Sequence, residues 1–277
     1  MQAGTRGWQL GAFWRTDFAF DGANKNQFRG NIEMHNMTIR SVQLLLGTLA
    51  LAFSVGVKAD TTYSAVGAGW YSNAGEHVEF NDNYSVGGAQ SGYTLNNYFL
   101  FDLSGVSGPI TGAILRVYNP DTPVSPGFPF GYTSSDPTEN YALFDVSTAT
   151  ADLVAGYGVG SLVGQAIFSD LGSGQNFGMY TASLADNGKF VEISLNASGV
   201  AALNAAHGMF AVGGKITTLD AVVNRESLFV SGFLSTAGSN APQLVISSVP
   251  EPAGSALFVA GLGLVGLAAS RRAARVA

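Results

Sequence analysis

The chain has no cysteine, so neither a disulfide nor a thiolate-held metal can brace its fold or carry its chemistry. Charged residues are scarce, at 12% of the whole, which excludes a disordered polyelectrolyte. Reactive groups are thin too: beyond residue 59 the only histidines are His77 and His207. There is no G-x-S-x-G nucleophile elbow, no H-E-x-x-H zinc motif and no P-loop. A catalytic apparatus must therefore come from carboxylates or not at all, and the expectation is a protein that is not an enzyme.

What the sequence does hold is 47% hydrophobic residues and 36 glycines, a composition suited to a globular domain turned by glycine. Between Asp60 and Val249 four basic residues (Arg116, Lys189, Lys215, Arg225) face fifteen acidic ones, a net charge of −11. A field of that sign repels phosphate backbones and anionic headgroups. Nucleic acid is thus excluded as a partner, and cations or neutral polymers are favoured.

From Met37 the chain reads Met-Thr-Ile-Arg, then an apolar stretch from Val42 to Val57, then Val57-Lys58-Ala59 before Asp60. A positive start, a short apolar run and small residues at positions 57 and 59 make 37–59 a secretory signal peptide, with cleavage between Ala59 and Asp60. Residues 1–36 show no sustained periodicity and would displace that signal from the N-terminus. They read as a mis-called extension, with translation starting at Met34 or Met37.

At the other end, Ala253 to Ser270 is an eighteen-residue run without a charge, about 27 Å long as a helix and just able to span a bilayer core. Arg271, Arg272 and Arg275 follow, and the positive-inside rule keeps them cytoplasmic, so everything before Ala253 lies outside. Pro250 and Pro252 force an extended, accessible segment ahead of this transmembrane helix. Val249-Pro250-Glu251-Pro252, the glycine-rich apolar run and the arginine cluster together resemble the PEP-CTERM sorting signal, whose tail also carries the label of an ice-binding protein C-terminal domain. The resemblance covers residues 249–277. It implies an exosortase-type processing enzyme as partner, transient anchoring in the inner membrane, and delivery to the cell envelope, outer surface or extracellular space. The ice-binding label finds no support upstream, where Thr61-Thr62 and Thr217-Thr218 are isolated pairs rather than a repeated array.

Residues 60–248 form one domain of suitable size. Short runs at Val78–Phe80, Asn97–Leu103, Ala113–Asn119, Tyr141–Val146, Phe190–Leu195, Phe210–Ile216, Leu228–Phe233 and Gln243–Ser248 read as strands punctuated by turn residues. The expected fold is all-β: a single antiparallel, jelly-roll-like β-sandwich. In Ala113–Asn119, Ile114, Arg116 and Tyr118 share one face and Leu115 and Val117 the other, so one face can be wet. One short helix is expected from Asn196 to Gly208, capped by Asn196 or Ser198. Asn119–Asn140 contains five prolines and reads as a long loop. The segment Asn96–Pro120 resembles the strand pair of DNRLRE-type carbohydrate-binding sandwiches, which implies the same fold and no particular binding residue.

Candidate sites follow from side-chain chemistry. Aromatic rings on loops can pack on sugar rings, and Trp70, Tyr71, Phe128, Phe130 and Tyr132 are the candidates, set against their packing in the core. Asp82, Asp136 and Glu139 are loop oxygen donors suited to calcium, set against ordinary Asx turns; no other cofactor is indicated. Glu76-His77-Val78-Glu79 places its groups poorly for a metal, so His77 is expected at a surface strand edge, and His207 is expected to cap a helix end. Two functions come out of this reading. The first is a non-catalytic surface or extracellular-matrix protein that is structural or binds exopolysaccharide; the alternative is a secreted glycan-active hydrolase using an acidic pair.

Overall fold

The computed structural model describes residues 59–88, 92–123, 125–220, 226–233 and 240–249. The extension 1–36, nearly all of the signal peptide, and the tail from Pro250, with its transmembrane helix, lie outside the described residues. Among the described residues no helix is long and apolar enough to cross a membrane.

Two antiparallel sheets face one another. The strands in chain order are β1 (Ala59–Ser64), β2 (Gly67–Ser72), β3 (Val86–Gly88), β4 (Thr94–Asp102), β5 (Ile110–Asn119), β6 (Gly131–Thr133), β7 (Glu139–Asp145), β8 (Asn176–Ala182), β9 (Lys189–Ser194), β10 (Met209–Ile216), β11 (Ser227–Val230) and β12 (Gln243–Ser248). The smaller sheet runs β1-β12-β5-β9; the larger runs β6-β11-β3-β4-β10-β7-β8, with β2 also paired to β4. The all-β sandwich expected from the sequence is what the chain forms.

Alternation builds the core. On β5, Leu115 and Val117 are buried while Ile114, Arg116 and Tyr118 are half-buried, the two-faced strand read from the sequence. Val191 and Ile193 of β9 and Leu244 and Ile246 of β12 join them and meet Phe99, Phe101, Leu143, Phe210, Val212 and Phe229 from the larger sheet. Burying each such side chain contributes about 1.5–3 kcal/mol.

β4 is buried on both faces. Phe99 and Phe101 point into the sandwich, whereas Tyr98 and Leu100 enter a second cluster with Tyr71, Leu153, Ile167 and Leu171. That cluster lies beneath two helices, α1 (Thr150–Leu153) and α2 (Leu162–Leu171). A third helix, α3 (Ala197–Ala205), is the expected one: the Asn196 side chain accepts hydrogen bonds from the backbone of Ser198 and Gly199, satisfying two free amides of the first turn. Asn204 of α3 brackets Ile110, accepting from its N–H and donating to its carbonyl, each at 2.9 Å.

Four expectations need correction. Only one helix is expected, yet α2 is a second, longer one, which Ser161 caps by accepting from the Gly164 amide. Leu162 and Val163 are exposed, and they blur the polar face that would reveal an amphipathic helix. Gly164 is required because a Cβ there would strike the carbonyl of Gly75, where α2 crosses the turn after β2. Val78–Phe80 is a turn, not a strand: Phe80 has φ 65° and is exposed. The run Leu228–Phe233 ends as a strand at Val230, because Phe229 and Ser231 take φ of 60° and 64° and the pairing with β6 slips. The Asn119–Asn140 loop contains β6, tied down where the Asn187 side-chain oxygen Oδ1 accepts from Tyr132 N and Asn119 Nδ2, both at 2.7 Å.

Candidate functional site

Of the proposed sugar-stacking rings, two are inside the protein. Tyr71 is 0% exposed; its hydroxyl donates to the Asp152 carbonyl at 2.9 Å, and burial pushes its pKa up. Tyr132 is buried, and its hydroxyl donates to the Asp136 carbonyl at 2.8 Å. Neither offers a ring face to a ligand, because both positions sit where the larger sheet is covered. Trp70 and Phe130 are half-buried. Phe128 stands 47% exposed on the proline-rich loop.

His77 is not at a surface edge. It is 3% exposed, its ring stacks on Tyr71 and meets Tyr98 and Trp70 edge-on, and its backbone bridges Tyr157. Nδ1 lies 2.8 Å from the Trp70 carbonyl. A carbonyl only accepts, so Nδ1 carries the proton and Nε2 is bare in the neutral ring. Desolvation lowers the imidazole pKa, partly opposed by that hydrogen bond. His207 is exposed beyond the end of α3, and among the described residues no hydrogen bond to the helix carbonyls gives it the expected capping role.

The calcium candidates separate. Asp82 stays in a turn held by its neighbours: Asn81 Oδ1 accepts from Asn83 N, and Asn83 Oδ1 accepts from Ser85 N and Oγ. These are the Asx turns weighed from the sequence. Asp136 and Glu139 instead converge with Glu226, one oxygen from each lying within 4.8 Å of the others. Glu226 carried no signal in the sequence, since it reaches the cluster only through the pairing of β11 with β6.

Such an all-oxygen set suits a hard cation, but calcium asks for six to eight ligands. Glu139 Oε1 accepts from Ser134 Oγ at 2.8 Å and Oε2 from Thr218 Oγ1, while Glu226 Oε2 accepts from Asp220 N at 3.0 Å. The cluster is built first as a hydrogen-bonded junction. Glu139 and Glu226 are buried and only Asp136 is exposed.

The last strand leads straight to the sorting tail. β12 ends at Ser248, and Ser248 pairs with Ala59 across the edge of the smaller sheet. The expected leader junction, Ala59 and Asp60, therefore sits beside the start of the tail. Residues 248–272 match the PEP-CTERM protein-sorting motif. This span takes in Val249, Pro250, Glu251, Pro252, Arg271 and Arg272, all beyond Val249 lying outside the described residues. The PEP-CTERM motif supports export through an exosortase-type system and transient membrane anchoring through the C-terminal region. No curated protein matches the chain.

Proposed function

We propose that this is a non-catalytic protein of the cell surface or extracellular matrix, an acidic β-sandwich that binds extracellular polysaccharide. The observation that carries the reading is the PEP-CTERM motif beginning at the last residue of β12. It supports delivery of the sandwich outside the cell, and Ala59 and Ser248, near the two ends of the described domain, sit side by side.

The thin catalytic inventory supports the non-catalytic half. A retaining glycosidase holds two carboxyl groups about 5–5.5 Å apart across an open cleft. Asp136, Glu139 and Glu226 are close enough, yet two of them are buried and hydrogen-bonded, leaving a sugar no entry between them. The net charge of −11 between Asp60 and Val249 supports a neutral rather than an anionic polymer.

Cell fractionation tests the reading, comparing the full chain with one ending at Val249. The full chain should stay with the envelope, and the truncated one should appear in the medium. Equal distribution would overturn the sorting role. Sugar release by the purified protein, lost in Glu139→Gln, would establish the hydrolase instead.

A further inference from the structure

The smaller sheet turns one face to the core and one outward. On the outward face the register sets Gln243, Arg116 and Glu192 in one row across β12, β5 and β9, and Tyr118 opposite Phe190 in the next row of β5 and β9. Neighbouring strands lie about 4.8 Å apart, so the two rows make one compact patch.

The patch is locked together. Arg116 donates from Nε to Glu192 Oε1 at 2.9 Å and from Nη1 to Gln243 Oε1 at 2.8 Å. Its guanidinium carbon lies 4.7 Å from the centre of the Phe190 ring. Tyr118 and Phe190 meet edge-to-face with centroids 5.5 Å apart. An exposed arginine ordinarily loses much rotamer freedom on binding, but one already fixed by three partners loses little.

Polar capacity remains after the lock has formed. Arg116 has five N–H donors and uses two. Among the described residues the Tyr118 hydroxyl, Glu192 Oε2 and the Gln243 amide nitrogen find no hydrogen-bond partner, and the Arg116 and Glu192 side chains are 32% and 55% exposed. Tyr118 also lines a cavity of about 310 Å3 together with Pro120, Thr122, Pro123 and Phe233.

We propose that this outward face, centred on Arg116, Tyr118 and Phe190, binds a neutral polysaccharide chain. Sugar hydroxyls meet ready donors and acceptors, and the apolar faces of pyranose rings meet the aromatic pair. Charge selects this occupant. Glu192 already neutralises Arg116, so the patch offers no surplus charge to an ion of either sign, while the net −11 of the surrounding domain repels an anionic polymer. The proposal rests on the polysaccharide-binding reading above and moves its site away from the loop aromatics.

Native affinity electrophoresis of the full chain in non-ionic detergent tests it, with gels containing hydroxyethylcellulose, dextran, galactomannan or alginate. The unaltered protein should be retarded in at least one neutral gel and not by alginate. Tyr118→Ala and Arg116→Ala should weaken that retardation about ten-fold or more, while the loop control Phe128→Ala leaves it intact. Glu192→Ala, at an exposed position that folding tolerates, should weaken it as well by releasing Arg116, and thermal melting verifies that each variant is folded. Retardation unchanged in the folded variants would overturn this site while leaving polysaccharide binding in place. Retardation by alginate alone would overturn the neutral ligand. No retardation in any gel would overturn polysaccharide binding itself.

Discussion

The imidazole of His77 lies stacked on the phenol ring of Tyr71, centroids 4.6 Å apart and planes 20° from parallel. Tyr71, Tyr98, Trp70 and Tyr157 surround it, and Glu76 and Glu79 flank it in sequence. Among the rings nothing titrates in mild acid, so a proton on Nε2 would arrive in an apolar aromatic cage.

A pH dependence follows, with its sign fixed by burial. Desolvation depresses the folded pKa of His77 below 6.5. Above about pH 6.5 the ring is neutral in both folded and unfolded chains, and stability is at its full value. As pH falls from there, the unfolded chain takes up a proton that the folded protein resists. Stability should then drop by at most about 1.4 kcal/mol per pH unit until the folded value is passed. Denaturant midpoints between pH 7 and pH 5 measure it, and His77→Gln should flatten the slope.

A buried chain of polar groups ties the larger sheet together. Tyr141 on β7 donates to Asn97 Oδ1 on β4 at 2.8 Å, and Asn97 Nδ2 donates to the Tyr84 carbonyl at 2.7 Å. Tyr141→Phe leaves the Asn97 oxygen buried without its donor and should cost about 1–3 kcal/mol of stability in urea unfolding. Gly214→Ala should cost more, because a Cβ there meets both the Tyr141 hydroxyl and the Asn97 oxygen, so overpacking adds to the lost bond.

The sequence revealed strands where apolar and polar residues alternate or where an apolar run has clear flanks, as in β4, β5, β7, β9, β10 and β12. It did not reveal β2, whose Gly-Ala-Gly-Trp-Tyr-Ser gives no period, because Gly69 is held there by contact rather than pattern: a Cβ at that position would meet the Tyr98 ring across the sheet. β3 and β6 are three residues each, too short to carry a period at all, and they exist through their partners: β6 pairs with β11, and β3 lies between β11 and β4. The same pairing brings Glu226 to Asp136 and Glu139 and buries Tyr132, so part of each candidate site was decided by contacts distant in sequence. The outward patch was half visible. The face shared by Arg116 and Tyr118 could be read from β5, but their partners Phe190, Glu192 and Gln243 depend on strand order and register.

The Glu139 junction gives a further prediction. Its carboxylate accepts from Ser134 on the proline-rich loop and from Thr218 beyond β10. Glu139→Gln replaces one acceptor with a donor that faces a hydroxyl, and a loss of about 1–3 kcal/mol is expected. A junction held by hydrogen bonds also predicts equal melting temperatures in EDTA and in millimolar calcium. A calcium-dependent rise that Glu139→Gln abolishes would show that a cation shares the cluster.

The leader junction is expected from the sequence between Ala59 and Asp60. Small side chains at positions 57 and 59 favour cleavage after Ala59, and the sheet gives a separate reason for the same bond. Asp60 pairs with Ser247, and its carboxylate accepts from the Ser247 hydroxyl at 2.6 Å, so a chain beginning at Asp60 keeps nearly all of β1. Cleavage beyond Ser64 would strip that strand and leave β12 as a bare edge, with unpaired backbone groups open to other chains. Mass spectrometry of the exported protein should therefore find Asp60 as its N-terminal residue. A variant lacking 60–64 should aggregate more readily than the intact protein at equal concentration, as light scattering would register.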